Sequence, residues 1–177
     1  MFQGNFPSVT RADMPGRLLD SWFHPDYPPG DVSYNQEGQL VRATLQALVE
    51  KMTPPVSVVD PAFSTIFFPT FRRIASPAEL VQAIINRYNL VPPPGLSEDL
   101  TYAWQQRKGI PVRLHISNLI TSWLEHFWRP STDNVVLQAL LDFNRDALAL
   151  MFPGPSHRIH EIIVTHKRVV GKIPIHV

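Results

Sequence analysis

Apolar residues recur with helical spacing along much of the chain, most clearly in the stretch from Ile110 to Trp128. At 100° per residue its apolar positions form one narrow stripe, and the polar positions lie mostly on the opposite side. The stripe contains Val112, Ile116, Leu119, Ile120, Trp123 and Phe127. This pattern predicts an amphipathic helix covered by other helices. We interpret its aromatic residues as part of a core and not as a cofactor-binding surface.

Proline and short polar residues predict where the helices begin and end. Gly109 is expected to close a preceding helix in the left-handed conformation, and Pro111 suits the first turn of the long helix. Ser76 and Glu79 have the spacing of a capping box. The predicted helices cover about residues 44–52, 60–69, 76–88, 97–104, 110–128 and 131–151, with a last helix around Ile159–Ile163.

Several helix boundaries carry more specific expectations. Asp60, followed by a proline, is expected to cap the second helix, which should end or bend near Pro69. Either Ser131 or Asp133 is expected to cap the sixth helix, which extends to about Met151. The Pro153–Pro155 segment is expected to break the chain before the last helix.

The hydropathy pattern predicts an all-α fold, an irregular bundle of about six to seven helices. Residues 32–34 and 39–41 flank the turn-forming segment 35–38 and predict a small β-hairpin near the N-terminus. Residues 1–30 are expected to form an extended or flexible arm in which Trp22, Phe23 and Tyr27 are candidate anchors. Residues 31–166 form the predicted helical domain, and residues 167–177 a tail or linker.

Composition excludes several classes of function. The chain of 177 residues has a net charge of +1, which gives no reason to expect nucleic acid as a partner. No apolar run is long enough to predict membrane insertion, and the N-terminus lacks the pattern of a signal peptide. The sequence has no cysteine, so disulfides and thiolate chemistry are excluded.

Candidate chemistry is sparse. The glycines form no phosphate-binding loop, and no nucleophile motif occurs. His157, His160 and Glu161, with His166 further along, form the one metal-like group, but their spacing does not match a known zinc motif, and a solvated helix edge is the better interpretation. We therefore predict no catalytic residues, no metal site and no cofactor.

The sixth predicted helix has a wider apolar face than one contact requires. Leu137, Leu141 and Leu148 extend this face, and an exposed apolar surface is commonly an interface. These three leucines are therefore the candidate residues for docking a partner. If they belong to the core, replacing all three should unfold the protein.

Several segments, in order and with matching spacing, resemble a known family. The resemblance is to the N-terminal Ras-exchanger motif, the helical domain that precedes the Cdc25-homology catalytic domain in Ras-family guanine-nucleotide exchange factors. Residues 32–35 and the proline-rich segment before them resemble the fungal members. The segments that carry it are 44–50, 60–63, 67–72, 76–80, 87–89, Trp104, 111–114, Asn118 and 123–125.

The resemblance implies an accessory role and not an enzyme. In this family the domain packs against the Cdc25-homology catalytic domain, supports the helical hairpin that opens the GTPase site, and in some members helps to bind a Ras-family small GTPase. It also implies a cytoplasmic protein, held at the membrane periphery through partners. Residues 167–177 would then lead toward a catalytic domain that this chain lacks, which makes it a fragment, the product of a truncated gene model or a free-standing copy.

Two other interpretations remain open from the sequence. The chain could be a free-standing interaction module that binds a GTP-loaded small GTPase or its exchanger. An enzyme using His157, His160 and Glu161 with a metal is the third interpretation. The GTPase partner, the regulatory input and the oligomeric state do not follow from the sequence.

Overall fold

Helices dominate this computed structural model, which describes residues 16–59 and 61–170. The helices are α1 (Gly16–Phe23), α2 (Leu45–Lys51), α3 (Pro61–Thr70), α4 (Pro77–Tyr88), α5 (Glu98–Trp104), α6 (Ile110–Ser122), α7 (Pro130–Asp133), α8 (Leu137–Phe143), α9 (Ala149–Met151) and α10 (Pro153–Val170). Two strands, β1 (Val32–Tyr34) and β2 (Leu40–Ala43), pair in an antiparallel ribbon. The predicted all-α bundle with a small N-terminal hairpin is confirmed.

The β-ribbon turns on Asn35 and Gly38. The Asn35 side-chain oxygen accepts hydrogen bonds from the backbone N–H groups of Glu37 and Gln39, and Gly38 has φ +76°. Such a positive φ favours glycine because it has no Cβ. The ribbon is joined directly to α2, since the Thr44 N–H donates to Asp31 and its hydroxyl caps the helix.

The capping box predicted before α4 is present. The Ser76 hydroxyl accepts from the Glu79 N–H at 3.2 Å, and the Ser76 N–H donates to the Glu79 carboxylate at 2.7 Å. The Ser76 N–H and the Ser76 hydroxyl both donate to the Glu79 carboxylate, and they hold the pKa of this exposed side chain below its ordinary value because they favour the ionised form.

Glu98 to Phe127 form one continuous helical rod, in which α5 and α6 are joined by a π turn at Gln105–Gly109 and followed by another at Trp123–Phe127. The prediction that Gly109 closes a helix in the left-handed conformation is wrong, because its φ is −59°. Glycine is needed there for space: an added Cβ would lie 3.0 Å from the Trp104 ring and 2.3 Å from the Gln105 amide oxygen.

Pro111 explains why the rod widens before α6. A proline has no N–H and its ring crowds the carbonyl four residues earlier, so a regular turn is unfavourable there. The preceding residue, Ile110, instead donates its N–H to Gln105 five residues back, which opens the turn.

The core is built around α6, which packs against α4 and α10. The stripe predicted from hydropathy is confirmed, because Val112, Ile116 and Trp123 have no exposed surface. Phe127 is half-buried and stacks on Phe68 of α3, with ring centroids 4.8 Å apart. Burial of these large side chains is the main favourable contribution to folding.

Helix α3 ends close to Pro69, as predicted. The α-helix stops at Thr70 and continues as a 3-10 turn over Phe71–Arg73. Asp60, the expected cap of this helix, lies outside the described residues.

The predicted sixth helix is divided into shorter pieces. Asp133 ends α7 and is buried, and its side chain does not cap the 3-10 turn that follows. Helices α8 and α9 are joined by a π turn at Asn144–Leu148, and Phe152 separates α9 from α10. The chain breaks one residue earlier than expected, since Pro153 already starts α10.

The described part of the predicted arm contains more structure than expected. Gly16–Phe23 form α1, and Trp22 is only 1% exposed, which confirms it as an anchor. Phe23 is 37% exposed. Residues 1–15 and 171–177 lie outside the described residues, and α10 continues to Val170 through the start of the predicted tail. The division into arm, helical domain and tail stays a prediction.

Candidate docking site

An apolar groove of about 590 Å³ lies between the loop after α2, helix α3 and helix α6. We refer to it as the groove. Its floor is the core itself, since Met52, Phe68 and Leu119 are almost completely buried. The groove is lined by Met52, Pro55, Val56, Ser57, Val58, Val59, Ser64, Phe68, Ile110, Pro111, Leu114, His115, Asn118, Leu119 and Ser122.

Three apolar side chains at the groove are exposed. Val56 and Val58, in the loop after α2, are 69% and 88% exposed, and Leu114 on α6 is 39% exposed. Removing apolar side chains from water is favourable, so a cluster of them around a concavity is typical of a binding surface.

The loop is fixed to α6 by His115. Its Nδ1 lies 2.6 Å from the carbonyl oxygen of Pro54. A carbonyl oxygen can only accept, so this contact assigns the proton to Nδ1. The two exposed valines are therefore carried by a loop that is tied to the helical rod on the other side of the groove.

The groove carries little charge. Among the described residues that line it, none has a carboxylate, ammonium or guanidinium group, and its polar side chains are serines, Asn118 and His115. Such a surface suits an apolar protein segment and offers nothing to neutralise a phosphate or carboxylate.

A buried ion pair supports the elements on which the groove is built. The Asp133 carboxylate is bonded by the Arg72 guanidinium, which follows α3, and accepts from Trp123 Nε1 at 3.1 Å and from the Arg129 N–H at 3.0 Å. Burial of Asp133 opposes its ionisation, but the hydrogen bonds from Arg72 and Arg129 outweigh burial and lower the pKa of the carboxyl. This pair joins the end of α3 to the end of the long rod.

The three leucines predicted for docking do not form an exposed face. Leu137 is 3% exposed and Leu148 has no exposed surface, so both belong to the core, and Leu141 is half-buried against it. The expectation was wrong because helix α10 and helix α4 pack against α8 and cover the wide apolar face. The premise for docking at these residues is therefore removed.

The histidines singled out in the sequence do not gather around one point. His157 lies 3.4 Å from Glu161 at an exposed edge of α10, whereas the His166 Nε2 lies 3.0 Å from the Leu124 carbonyl oxygen and its ring stacks on Trp128. Within the described residues, no group of three histidine or acidic side chains has an arrangement that could hold a metal ion.

The groove residues were missed at the level of sequence for a physical reason. Val56, Val58 and Leu114 belong to no long apolar stripe, and Val56 and Val58 follow two prolines in a segment that the helical pattern leaves unassigned. A run of three valines in four residues between prolines and a helix start was the available signal.

Comparison with known proteins identifies the family of this helical unit. A family model described as the RasGEF N-terminal motif matches residues 39–143, which include every described residue that lines the groove. The chain belongs to the RasGEF N-terminal motif family. The match also contains the Arg72–Asp133 pair, whereas α1 and α10 lie outside it.

Individual relatives come from fungi and from humans. The chain is 29% identical over 141 residues to Cell division control protein 25 of Saccharomyces cerevisiae, covering 80% of the chain and 9% of that protein. It is 33% identical over 124 residues to Cell division control protein 25 of Candida albicans, covering 67% of the chain and 9% of that protein. It is 28% identical over 145 residues to human Ral guanine nucleotide dissociation stimulator-like 1, covering 77% of the chain and 18% of that protein. The chain thus spans less than a fifth of each of these relatives.

The described part of the chain contains no membrane-spanning helix. Across residues 16–59 and 61–170, no helix combines the length and the apolar character needed to cross a bilayer.

Proposed function

We propose that this chain is the non-catalytic N-terminal domain of a Ras-family guanine-nucleotide exchange factor. In this role it binds and stabilises a Cdc25-homology catalytic domain, in the same polypeptide or supplied separately. Family membership supports the general assignment, and the names of relatives such as Ral guanine nucleotide dissociation stimulator-like 1 support the link to nucleotide exchange. Contact with a Ras-family GTPase and a cytoplasmic location, peripheral at the membrane through partners, belong to the same proposal.

The observation that carries the proposal is the uncharged groove with its exposed valines. A surface that buries no charge and presents Val56, Val58 and Leu114 is suited to an apolar helix or loop of another protein domain. It lies within the residues that define the family, and we assign it as the surface that contacts the catalytic domain.

The test uses the full chain and a separately purified Cdc25-homology catalytic domain from a fungal Ras exchange factor. Replacing Val56 and Val58 with aspartate should weaken association at least tenfold, because each aspartate would carry an unpaired charge into an apolar contact. Val135→Asp is the matched control, since Val135 is 78% exposed and does not line the groove. Binding by the double variant that equals wild-type binding would overturn the assignment of the groove.

Measuring the rate of nucleotide release from Ras distinguishes a supporting role of the chain from a catalytic one. The chain alone should leave the rate of GDP release unchanged, and adding it to the catalytic domain should raise the thermal stability or the exchange activity of that domain. Titration of Ras in its GDP and GTP forms against the chain alone tests the alternative of direct GTPase recognition. Acceleration of release by the chain alone would contradict the non-catalytic role.

A further inference from the structure

A second surface, separate from the groove, is covered by the N-terminal part of this chain. We call residues 16–27 the strap. Its Trp22 is 1% exposed and packs on Ala103 and Trp104 of the rod, with Leu90, Leu96 and Leu100 around it. The indole N–H of Trp22 is buried without a hydrogen-bond partner in the described structure.

The other anchor of the strap is Asp26. Its carboxylate accepts from Arg87 Nη1 at 2.5 Å and from Lys108 Nζ at 2.6 Å. The Asp26 side chain is 46% exposed, whereas those of Arg87 and Lys108 are only 3% and 5% exposed. Burial opposes ionisation of Asp26, but the bonds from Lys108 and Arg87 outweigh it and lower the pKa of the carboxyl.

The charges beneath the strap do not balance without it. Glu50 is the other carboxylate paired with this cluster, 3.6 Å from Arg87, and it also accepts the Asp26 N–H at 2.7 Å. Without the Asp26 carboxylate, Glu50 would be the one acidic side chain paired with these two cations in the described structure. This position therefore suits an acidic group from the strap or from another molecule.

The strap and the surface beneath it also differ in their relation to the family. Arg87, Trp104 and Lys108 lie inside the matched region 39–143, whereas Trp22 and Asp26 precede it. We call the surface beneath the strap the socket; it consists of Arg87, Leu96, Leu100, Trp104 and Lys108. The cavities beside it share no lining residue with the groove.

We propose that the socket is a docking site for a peptide segment of a partner protein that carries an aromatic residue followed closely by an acidic one, and that the strap fills the socket when no partner is bound. The aromatic ring replaces Trp22 on Trp104, and the carboxylate replaces Asp26 between Arg87 and Lys108. The occupant is a peptide segment because the strap, itself a peptide, reaches both cations and the Trp104 ring in this structure.

The test supplies the strap as a separate molecule. A fluorescein-labelled peptide of residues 16–31 is titrated against the full wild-type chain and against the full chain with Trp22→Ala and Asp26→Asn, in which the strap has lost both anchors. We expect the variant to bind the peptide at least tenfold more tightly than the wild type. Placing Asp26→Asn in the peptide should weaken that binding at least tenfold.

The matched control is the full chain with Asp20→Asn and Phe23→Ala. Both residues lie on the strap with exposed side chains, so the strap should stay seated and the peptide should bind as weakly as to the wild type. No binding by a folded variant, or equal binding by the variant and the wild type, would overturn the proposal. A concentration-dependent dimer of the wild type in analytical ultracentrifugation, abolished by Trp22→Ala, would assign the socket to a second copy of the chain and also overturn it.

Hydrogen exchange in the wild-type chain provides a test that does not depend on folding of the variant. The opening that exposes the backbone amides of residues 20–27 to exchange should occur at least ten times as often as the opening that exposes those of residues 116–120. If the strap opens only together with this core segment, it is a fixed part of the fold and the proposal fails. Either failure would leave the proposed function intact, because that function rests on the groove.

Discussion

The buried carboxylate of Asp133 is bonded by the guanidinium of Arg72, a residue 61 positions earlier in the chain. Arg72 also donates to the carbonyl oxygens of Phe68 and Phe127, so its planar head joins α3, the end of the long rod and α7. A guanidinium suits this position because its several donors point in fixed directions. The pair thereby holds together the elements that carry one wall and the floor of the groove.

Removing one member of this pair should destabilise the protein strongly. Arg72→Met leaves the Asp133 charge in the interior with fewer partners, and loss of one partner from a buried pair costs about 3–5 kcal/mol. Urea unfolding followed by circular dichroism measures the effect. Arg145→Met is the control, because its bonds to Asp142 and Asp146 lie at the surface and should leave the midpoint nearly unchanged. Equal midpoints for the two variants would contradict the importance of the buried pair.

The same carboxylate should make stability depend on pH in the acid range. The pKa of Asp133 is lowered in the folded state, so its contribution is fully present well above the ordinary value of 3.8 and is lost as pH falls through the lowered value. Unfolding free energies measured from pH 7 to pH 3 should therefore fall less steeply for Asp133→Asn than for the wild type. Asp99→Asn, at the exposed start of α5, is the comparison variant, and a slope equal to that of Asp133→Asn would argue against this assignment.

Two leucines of the same helical segment should respond differently to truncation. Leu148→Ala removes a side chain with no exposed surface and should cost about 2–5 kcal/mol through lost burial and a cavity. Leu150 is 80% exposed, and Leu150→Ala should change stability by less than about 0.5 kcal/mol. Thermal and urea unfolding of both variants test whether Leu148 belongs to the core. A similar loss of stability in the two variants would refute that assignment.

The capping box of α4 gives a smaller, local effect. Ser76→Ala removes the hydroxyl that accepts the Glu79 N–H and should cost about 1 kcal/mol. Ser131→Ala, in the exposed first turn of α7, is the matched control and should have little effect. The measurement is the urea midpoint, and an unchanged value for Ser76→Ala would show that the cap contributes little here.

Features that depend on neighbouring residues were predictable from the sequence. The capping box and the stripe through Trp123 follow from spacing alone, because both involve contacts within one helix. The family resemblance also followed from motif order. Leu148 was misplaced because the amount of apolar surface on a helix does not reveal which other helices cover it.

Features that depend on distant residues were not predictable. The partnership of Arg72 with Asp133, and that of Asp26 with Arg87 and Lys108, joins residues 61 or more positions apart. Gly109 was misread because glycine often ends a helix, whereas here its lack of a side chain admits the Trp104 ring. The groove was missed because it exists only where a loop and two helices meet.

The widened turn at Gln105–Gly109 sets how the two halves of the rod are rotated relative to each other. The turn already holds one residue more than a regular turn, so a further residue inserted there would rotate the Glu98–Trp104 half by about 100° relative to the half that follows. Trp104 would then swing away from Trp22, and Lys108 from Asp26. Insertions in this protein should therefore be tolerated in the connecting loops and rejected within the rod.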